Sequence, residues 1–270
     1  MLAALVIVFR EVLEAGLIIS VILAACKGAP VRKYIVVGIL AGAAGAIILA
    51  LFTDRLESML DGRGLELFSA GVLLLAVLML SWQVLWMSAS GKRYASSRYR
   101  ETERLLAEKG GYSSIAILVA LTVLREGAEV VLFLYSLSLT VSGSAGVGML
   151  AGGIAGVLLG VLVSWGMYSG LVLISLRTVF AASNLLLMCI AAGLASQAAG
   201  ILASVDMLPM LGWQIWDTSF LLSDNSWAGN LAHTLLGYTA TPSGIQLCAW
   251  FLVFVGIFSL RFYLLRREQH

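Results

Sequence analysis

Apolar residues run along this chain in seven stretches that short polar segments separate. About 20 apolar residues are what an α-helix needs to cross the hydrocarbon core of a bilayer. The pattern therefore predicts an all-α polytopic membrane protein, with seven transmembrane helices in a single membrane domain. We place the spans at roughly residues 2–26, 34–52, 65–89, 113–140, 147–175, 179–203 and 246–265 of the 270.

The composition agrees with a membrane protein. Hydrophobic residues make up 60% of the chain and charged residues 12%, and the mean hydropathy is +0.98. The net charge of +2 gives no indication of a nucleic-acid partner, and we expect none. The three cysteines form no C-x-x-C pair, which disfavours a thiol-redox enzyme. Because Arg10-Glu11 interrupts the first stretch and no basic segment precedes it, we interpret it as a span rather than a cleavable signal.

Lys and Arg are distributed unevenly between the predicted spans. Thirteen of the 17 follow spans one, three and five or lie at the C-terminal end. Because positively charged segments stay in the cytoplasm, we expect the N-terminus outside and the C-terminus inside. The most basic segment, 90–112, ends in a charged stretch, Arg100–Lys109, which predicts a short cytoplasmic helix. Its basic charge is most simply a topology signal, and contact with anionic membrane lipids is a second hypothesis.

Two charged motifs interrupt the apolar sequence. Residues Arg10–Glu14 in the first span and Arg125–Glu129 in the fourth each read Arg-Glu-x-x-Glu. One Asp, Lys or Arg at the centre of a membrane helix costs about 2.5 to 3.5 kcal/mol. Charges in such places commonly mark a substrate or ion path. Two copies at matched positions favour that interpretation over salt bridges that only fix the packing.

The spacing of the two motifs predicts an internal repeat. They are 115 residues apart, in spans one and four, which cross the membrane in opposite directions under the predicted orientation. Spans one to three and four to six would then form an inverted 3+3 repeat, with span seven appended. Transporters of this architecture place the substrate site near the midplane, where the repeats meet. Similarity between the halves beyond the motifs is weak.

Each motif presents one polar stripe, because its Arg and both Glu fall within a 100° arc of the helix. The Arg is expected to pair with the second Glu at i, i+4. Two facing motifs would bring four carboxylates and two guanidinium groups together, which favours binding of a cation. Oxygen ligands suit hard or borderline ions such as Fe(III), Fe(II), Mn(II), Mg(II) and Ca(II), and do not suit Cu(I). The candidate ligands are Glu11, Glu14, Glu126 and Glu129, supported by Arg10 and Arg125.

Three other functions stay open at this point. A proton-coupled exporter of a small cation or an amino acid would use the same glutamates as a proton relay. A structural subunit of a larger membrane complex would use the charges only to bind its neighbours. An intramembrane enzyme is disfavoured, because the sequence contains no G-x-S-x-G, H-E-x-x-H or paired-cysteine motif.

The paired motifs, the seven spans and two further stretches resemble the oxidase-dependent iron permeases, including their bacterial ferrous-iron transporter branch. The further stretches are Trp216–Ser219 and His233–Gly244, which look like the last external loop of the bacterial members. The resemblance implies a permease, not an enzyme, that imports iron across the plasma membrane, in bacteria the inner membrane. It implies that a partner oxidises Fe(II) and hands over Fe(III), so Fe(III) is favoured over Fe(II) as the imported ion.

Carried over by position, Glu11, Glu14, Glu126 and Glu129 would be the translocation ligands, and Arg10 and Arg125 would organise them. The resemblance implies a separate external or periplasmic ferroxidase or iron-delivery protein as partner. Iron is the transported substrate, and no bound prosthetic group is expected. The sequence allows an oligomer but does not fix its size.

A second group of acidic residues lies in the predicted external segment between spans two and three. Asp54, Glu57 and Asp61 are spaced i, i+3 and i+7, on one face of a helical turn. We hypothesise that they capture the cation before it reaches the spans. The alternative is a solvated face with Arg55 and Arg63 as counterions.

Other polar residues carry weaker indications. The segment 204–245 contains His233, which is either a ligand, a partner contact or, more commonly for a lone histidine, structural. Gln83, Asn184 and Gln197 lie within predicted spans, where amides typically form hydrogen bonds between helices.

Overall fold

A computed structural model describes residues 1–26, 30–57, 63–107, 111–140, 145–169, 176–220, 222 and 226–267. Within these residues the fold is all-helical. Seven of its helices have 24 residues or more and coincide with the seven apolar stretches, while one has only 10 residues. The helices are α1 (Leu2–Ala25), α2 (Arg32–Glu57), α3 (Arg63–Ala107), α4 (Gly111–Thr140), α5 (Ala145–Tyr168), α6 (Leu176–Ser204), α7 (Trp227–Leu236) and α8 (Gly244–Arg267).

Among the described residues, five helices are long and apolar enough to cross a membrane, by length and composition. The two other long helices are α1 and α4, each of which carries one Arg and two Glu inside its apolar sequence. The fold is therefore consistent with the predicted polytopic membrane protein. The five apolar segments are Arg32–Thr53, Arg63–Trp86, Gly146–Tyr168, Ala181–Ser204 and Gly244–Leu264.

Helix α3 corrects the prediction of a span that ends near residue 89 and a separate cytoplasmic helix after it. Residues Arg63–Ala107 instead form one continuous helix of 45 residues. At 1.5 Å per residue it is about 67 Å long, roughly twice the hydrocarbon thickness, so it extends beyond the bilayer. The reason is local, since the second half contains no proline and is rich in the good helix formers Arg, Glu, Ala and Leu.

Helix α5, by contrast, ends at Tyr168, before the predicted boundary at residue 175, and residues 170–175 lie outside the described part.

Glycine spacing governs how α2 packs along α4. A Cβ atom at Gly38 would lie 2.6 Å from the carbonyl oxygen of Ala116, and one at Gly42 would lie 2.6 Å from that of Ala120. The two backbones therefore touch, as small residues four apart allow. The residue numbers of the contacting positions increase in the same direction along both helices, so α2 and α4 run parallel.

The same arrangement joins α5 to α1. A Cβ atom at Gly156 would lie 2.8 Å from the carbonyl oxygen of Leu5, and one at Gly160 would lie 2.7 Å from Cγ1 of Val12. These two helices also run parallel. Glycines four residues apart in α2 and in α5 thus permit close helix packing in both pairs.

The core lies where α1, α3, α4 and α6 meet, and it explains why the motif helices are buried. Ile7 of α1, Leu80 of α3, Phe133 of α4 and Leu187 of α6 belong to one cluster of buried apolar side chains. The outer helices α2, α5 and α8 instead carry many exposed large apolar side chains, as a lipid-facing surface requires.

Helix α7 lies inside a segment that the hydrophobic pattern treats as a loop. The Ser226 hydroxyl accepts a hydrogen bond from the Gly229 backbone N–H (2.9 Å), and Gly237 ends the helix with a φ of 68°. Serine at the N-cap and glycine after the last turn are sequence signals of a helix. With 10 residues, however, α7 is too short to stand out as an apolar stretch.

The tight α1–α5 packing predicts different effects for two neighbouring glycines. Gly156→Ala would place a methyl group against the α1 backbone, whereas a Cβ at Gly153 has no neighbouring atom within 4 Å. Both changes raise helix propensity equally, so their difference reports packing alone. We expect Gly156→Ala to destabilise the purified protein by about 1 to 3 kcal/mol relative to Gly153→Ala. Thermal unfolding in detergent measures this, and equal midpoints would contradict the packing described.

Candidate functional site

Three carboxylates converge between α1 and α4. One oxygen each from Glu11, Glu126 and Glu129 lies within 4.8 Å of the other two. The three residues are 0%, 4% and 6% exposed, respectively. A cluster of this size is compatible with three oxygen ligands on one cation, because ligand oxygens bound at 2.0 to 2.6 Å lie within about 5 Å of each other.

The motif spacing explains how α4 supplies two of the three carboxylates. Glu126 and Glu129 are three residues apart, so they lie on the same face of the helix. That face packs on α1 at the level of Glu11. The motifs thus meet at the middle of two long apolar helices, as their matched positions predict.

In the first motif, a buried arginine connects the two glutamates. Arg10 Nη2 lies 3.0 Å from Glu14 Oε1, and Arg10 Nη1 lies 3.7 Å from Glu11 Oε1. The predicted i, i+4 pair is confirmed. The Arg10 side chain is only 1% exposed, so its charge is balanced inside the protein rather than by water.

The second motif repeats the pairing in a different environment. Arg125 Nε donates a hydrogen bond to Glu129 Oε1 (3.1 Å) and lies 3.9 Å from Glu126 Oε1. The Arg125 side chain is 49% exposed. The two motifs therefore share their ion pairing but differ in the burial of the arginine.

Glu14, the fourth predicted ligand, lies beside the three-carboxylate cluster rather than in it. It holds Arg10 and is close enough to Glu129 to interact with its charge. With all groups ionised, four carboxylates and two guanidinium groups leave a net charge of −2. Such a charge among buried groups favours a bound cation, since unpaired buried carboxylates are unfavourable.

A third helix contributes a residue that the sequence does not assign to the site. Gln83 of α3 donates through Nε2 to both carboxylate oxygens of Glu11, at 3.0 Å each. The sequence predicts that this in-span amide bonds between helices, which is confirmed. Its partner is not readable from the sequence, because no motif links the positions, which are 72 residues apart.

The proposed capture residues remain a prediction. Asp54 and Glu57 lie on the last turn of α2, but the structure does not describe their side chains. Asp61 lies wholly outside the described residues.

His233 has both ring nitrogens engaged by the protein. Nδ1 lies 2.7 Å from the Tyr238 carbonyl oxygen and must be the protonated nitrogen, because a carbonyl only accepts. Nε2 lies 3.3 Å from Gln197 Nε2 and therefore accepts from that amide. These contacts tie α7 to α6 and favour the structural interpretation of His233 over a ligand.

A cavity of about 320 Å³ lies next to Gln197, between α6 and the segment that leads into α8. Its polar lining consists of amide and hydroxyl groups, and none of the residues that line it is a carboxylate. It is therefore separate from the three-carboxylate cluster. The polar residues are Gln197, Ser204, Thr241, Ser243 and Gln246.

Asp217, in the stretch that resembles the last external loop of the permeases, has an engaged carboxylate. The Ser219 hydroxyl and the Ser219 backbone N–H (2.9 Å) both donate to its Oδ1. These hydrogen bonds lower the pKa of Asp217 below its ordinary value. The carboxylate thus fixes a local turn.

Comparison with known proteins gives a consistent result over almost the whole chain. The family model described as the Iron permease FTR1 family matches residues 1–266. Ferrous iron permease EfeU of Escherichia coli O157:H7 is 27% identical over 260 residues, which cover 94% of this chain and 93% of that protein. The protein of the same name in Yersinia pestis is 26% identical over 259 residues, 94% and 91% of the two chains. No solved structure matches.

The unequal burial of the two arginines predicts unequal effects on stability. Arg10→Met would leave Glu11 and Glu14 as uncompensated buried charges, a loss that typically costs about 3 to 5 kcal/mol. Arg125→Met removes a guanidinium group that is only half enclosed by the protein, and it should cost less. Thermal unfolding of the two purified variants tests this. A larger loss for Arg125→Met would show that the burial pattern does not govern stability.

Proposed function

The chain belongs to the FTR1 iron permease family, and from this we propose that it imports iron across the plasma membrane through the carboxylates of Glu11, Glu126 and Glu129. Members of the family are permeases, so the chain is a transporter rather than an enzyme. Its apolar helices are those of a multi-pass membrane protein. The observation that carries the proposal is the convergence of three buried carboxylates from α1 and α4. Each of these helices has apolar sequence on both sides of its motif.

The donor set supports iron as the ion held at this site. The three residues of the cluster offer only carboxylate oxygens, with no thiolate and no imidazole among them. Such ligands suit hard and borderline cations, and in proteins they hold iron, manganese, magnesium or calcium. Within that group the family membership selects iron.

In the proposed mechanism the carboxylates replace part of the hydration shell of the ion. Arg10 and Arg125 fix the orientation of Glu14 and Glu129 through charge-assisted pairs and limit the negative charge. Glu14, next to the cluster, provides a neighbouring carboxylate to which the ion can pass. Conduction needs binding that is strong enough for the ion to enter and weak enough for it to leave, and the two guanidinium groups serve the second requirement.

We further propose that the transport unit is the inverted 3+3 repeat, with the N-terminus outside, the C-terminus in the cytoplasm and α8 appended. In such a repeat α1 corresponds to α4, α2 to α5 and α3 to α6. The parallel α1–α5 pair of the structure then corresponds to the parallel α2–α4 pair, and the corresponding helices α3 and α6 pack on each other. This symmetry of contacts supports the repeat. The distribution of Lys and Arg supports the orientation.

The oxidation state of the ion is part of the proposal. We propose that Fe(III) enters the site, handed over by a separate external oxidase, because three carboxylates match its charge and hardness. The relatives are named ferrous iron permeases, which fits Fe(II) as the form that is supplied to the external oxidase. The test is to supply Fe(II) to the same cells with and without an external oxidase and to measure iron uptake. If iron enters as Fe(III), uptake depends on the oxidase. Equal uptake of Fe(II) without any oxidase would show that the site takes Fe(II) directly.

Radiolabelled iron uptake tests the site itself. We expect Glu11→Gln, Glu126→Gln and Glu129→Gln each to lose iron import while their amounts in the membrane stay normal, because each removes one ligand charge. Glu66→Gln is the matched control, since Glu66 is an exposed glutamate on the first turn of α3. Import by any of the three variants at the control level would contradict the three-carboxylate site. A proton-coupled exporter would move no iron inward in any of them.

The capture hypothesis predicts a change in affinity rather than in maximum rate. Glu57→Ala should raise the iron concentration that gives half-maximal uptake, because it removes one charge of the proposed external group. The maximum rate should stay unchanged. An unchanged half-maximal concentration rejects the role.

A further inference from the structure

Gln83 is placed and bonded in a way that packing alone does not require. Its side chain is buried, with 5% exposed, and its Nε2 donates to both oxygens of Glu11. Its Oε1 is buried and accepts no hydrogen bond from the residues that the structure describes. A buried amide oxygen without a partner is unfavourable, and a leucine at this position would avoid it.

The direction of the amide follows from its neighbour. A carboxylate only accepts hydrogen bonds, so the nitrogen of Gln83 makes both contacts with Glu11, and the amide oxygen is left for a different partner. The two amide atoms are about 2.3 Å apart, so Oε1 lies within about 5 Å of the oxygens of Glu11. Two ligand oxygens on one ion are separated by no more than about that distance.

We propose that Gln83 is part of the cation site, where Nε2 positions Glu11 and Oε1 serves as a neutral fourth ligand beside Glu11, Glu126 and Glu129. This inference rests on the proposed function of the three carboxylates. Amide oxygens are ordinary ligands of hard cations. The fourth ligand would come from α3, a helix that contains neither motif.

The two roles of Gln83 are compatible on one side chain. A carboxylate offers about four lone-pair positions, and the two hydrogen bonds from Gln83 leave Glu11 able to bind an ion. A neutral amide adds an oxygen ligand without adding charge to a site that already has three carboxylates. It therefore increases the number of ligands while keeping release possible.

Iron uptake kinetics of two variants test this proposal. Gln83→Met removes both amide atoms at nearly constant volume, and we expect the KM for radiolabelled iron to rise about 10-fold, as for other residues that orient metal ligands. Gln83→Glu keeps an oxygen at the same reach but loses the amide donor to Glu11 and adds a charge, so it should restore only part of the affinity. Ser81→Ala is the control on the same helix, because within the described part of the chain the Ser81 hydroxyl bonds only the Val77 carbonyl (2.6 Å). It should keep the wild-type KM.

A second readout does not depend on the folding of Gln83→Glu. In Gln83→Met a thioether replaces the amide oxygen, and thioethers favour Cu(I). We expect Cu(I), supplied under reducing conditions, to inhibit iron uptake by Gln83→Met more strongly than uptake by wild type or Ser81→Ala. A residue that only supports packing would not change this competition.

The outcomes separate this inference from the proposed function. If Gln83→Met lowers only the amount of protein and keeps the wild-type KM and Cu(I) competition, Gln83 is not at the site and the inference is wrong. If the Glu11→Gln and Glu126→Gln variants import iron normally, the proposed three-carboxylate site is wrong, whatever Gln83 does. Loss of import in the glutamate variants together with the expected Gln83→Met changes supports both.

Discussion

The burial of carboxylates between two apolar helices is the constraint on which the rest of this structure depends. Glu11, Glu126 and Glu129 are nearly inaccessible, and each would be unfavourable without a compensating charge or hydrogen bond. The arginine of each motif and the Gln83 amide supply part of that compensation from the protein. A bound cation would supply the remainder. Under the proposed function, the features that make the site unfavourable when empty would also make it selective for a positively charged substrate.

Helix packing converts the two motifs into one site. Glycine-mediated contacts hold α5 on α1 and α2 on α4, so each motif helix is flanked by a closely packed parallel partner. The motif helices then meet each other and α3 in the core, where Glu11 and Gln83 come into contact. The outer helices present apolar side chains to the surroundings. In this way a mostly apolar chain encloses a small polar centre.

Much of this arrangement is readable from the sequence, because it follows from local geometry. Span length predicts the long helices, and the i, i+4 spacing predicts the Arg10–Glu14 and Arg125–Glu129 pairs. Helix rotation is different, since tertiary packing sets it. The sequence therefore could not separate Glu14 from the other three glutamates, nor Arg125 from the buried Arg10. The Gln83–Glu11 contact depends on the same long-range packing.

X-ray absorption at the iron edge tests the three-carboxylate site most directly, because it reports the atoms around iron bound to the purified chain. We predict one iron per chain with a first shell of oxygen and no sulfur, and loss of that shell in the Glu11→Gln/Glu126→Gln double variant. An unchanged oxygen shell in the double variant, or a sulfur shell in the wild type, would show that iron is held elsewhere.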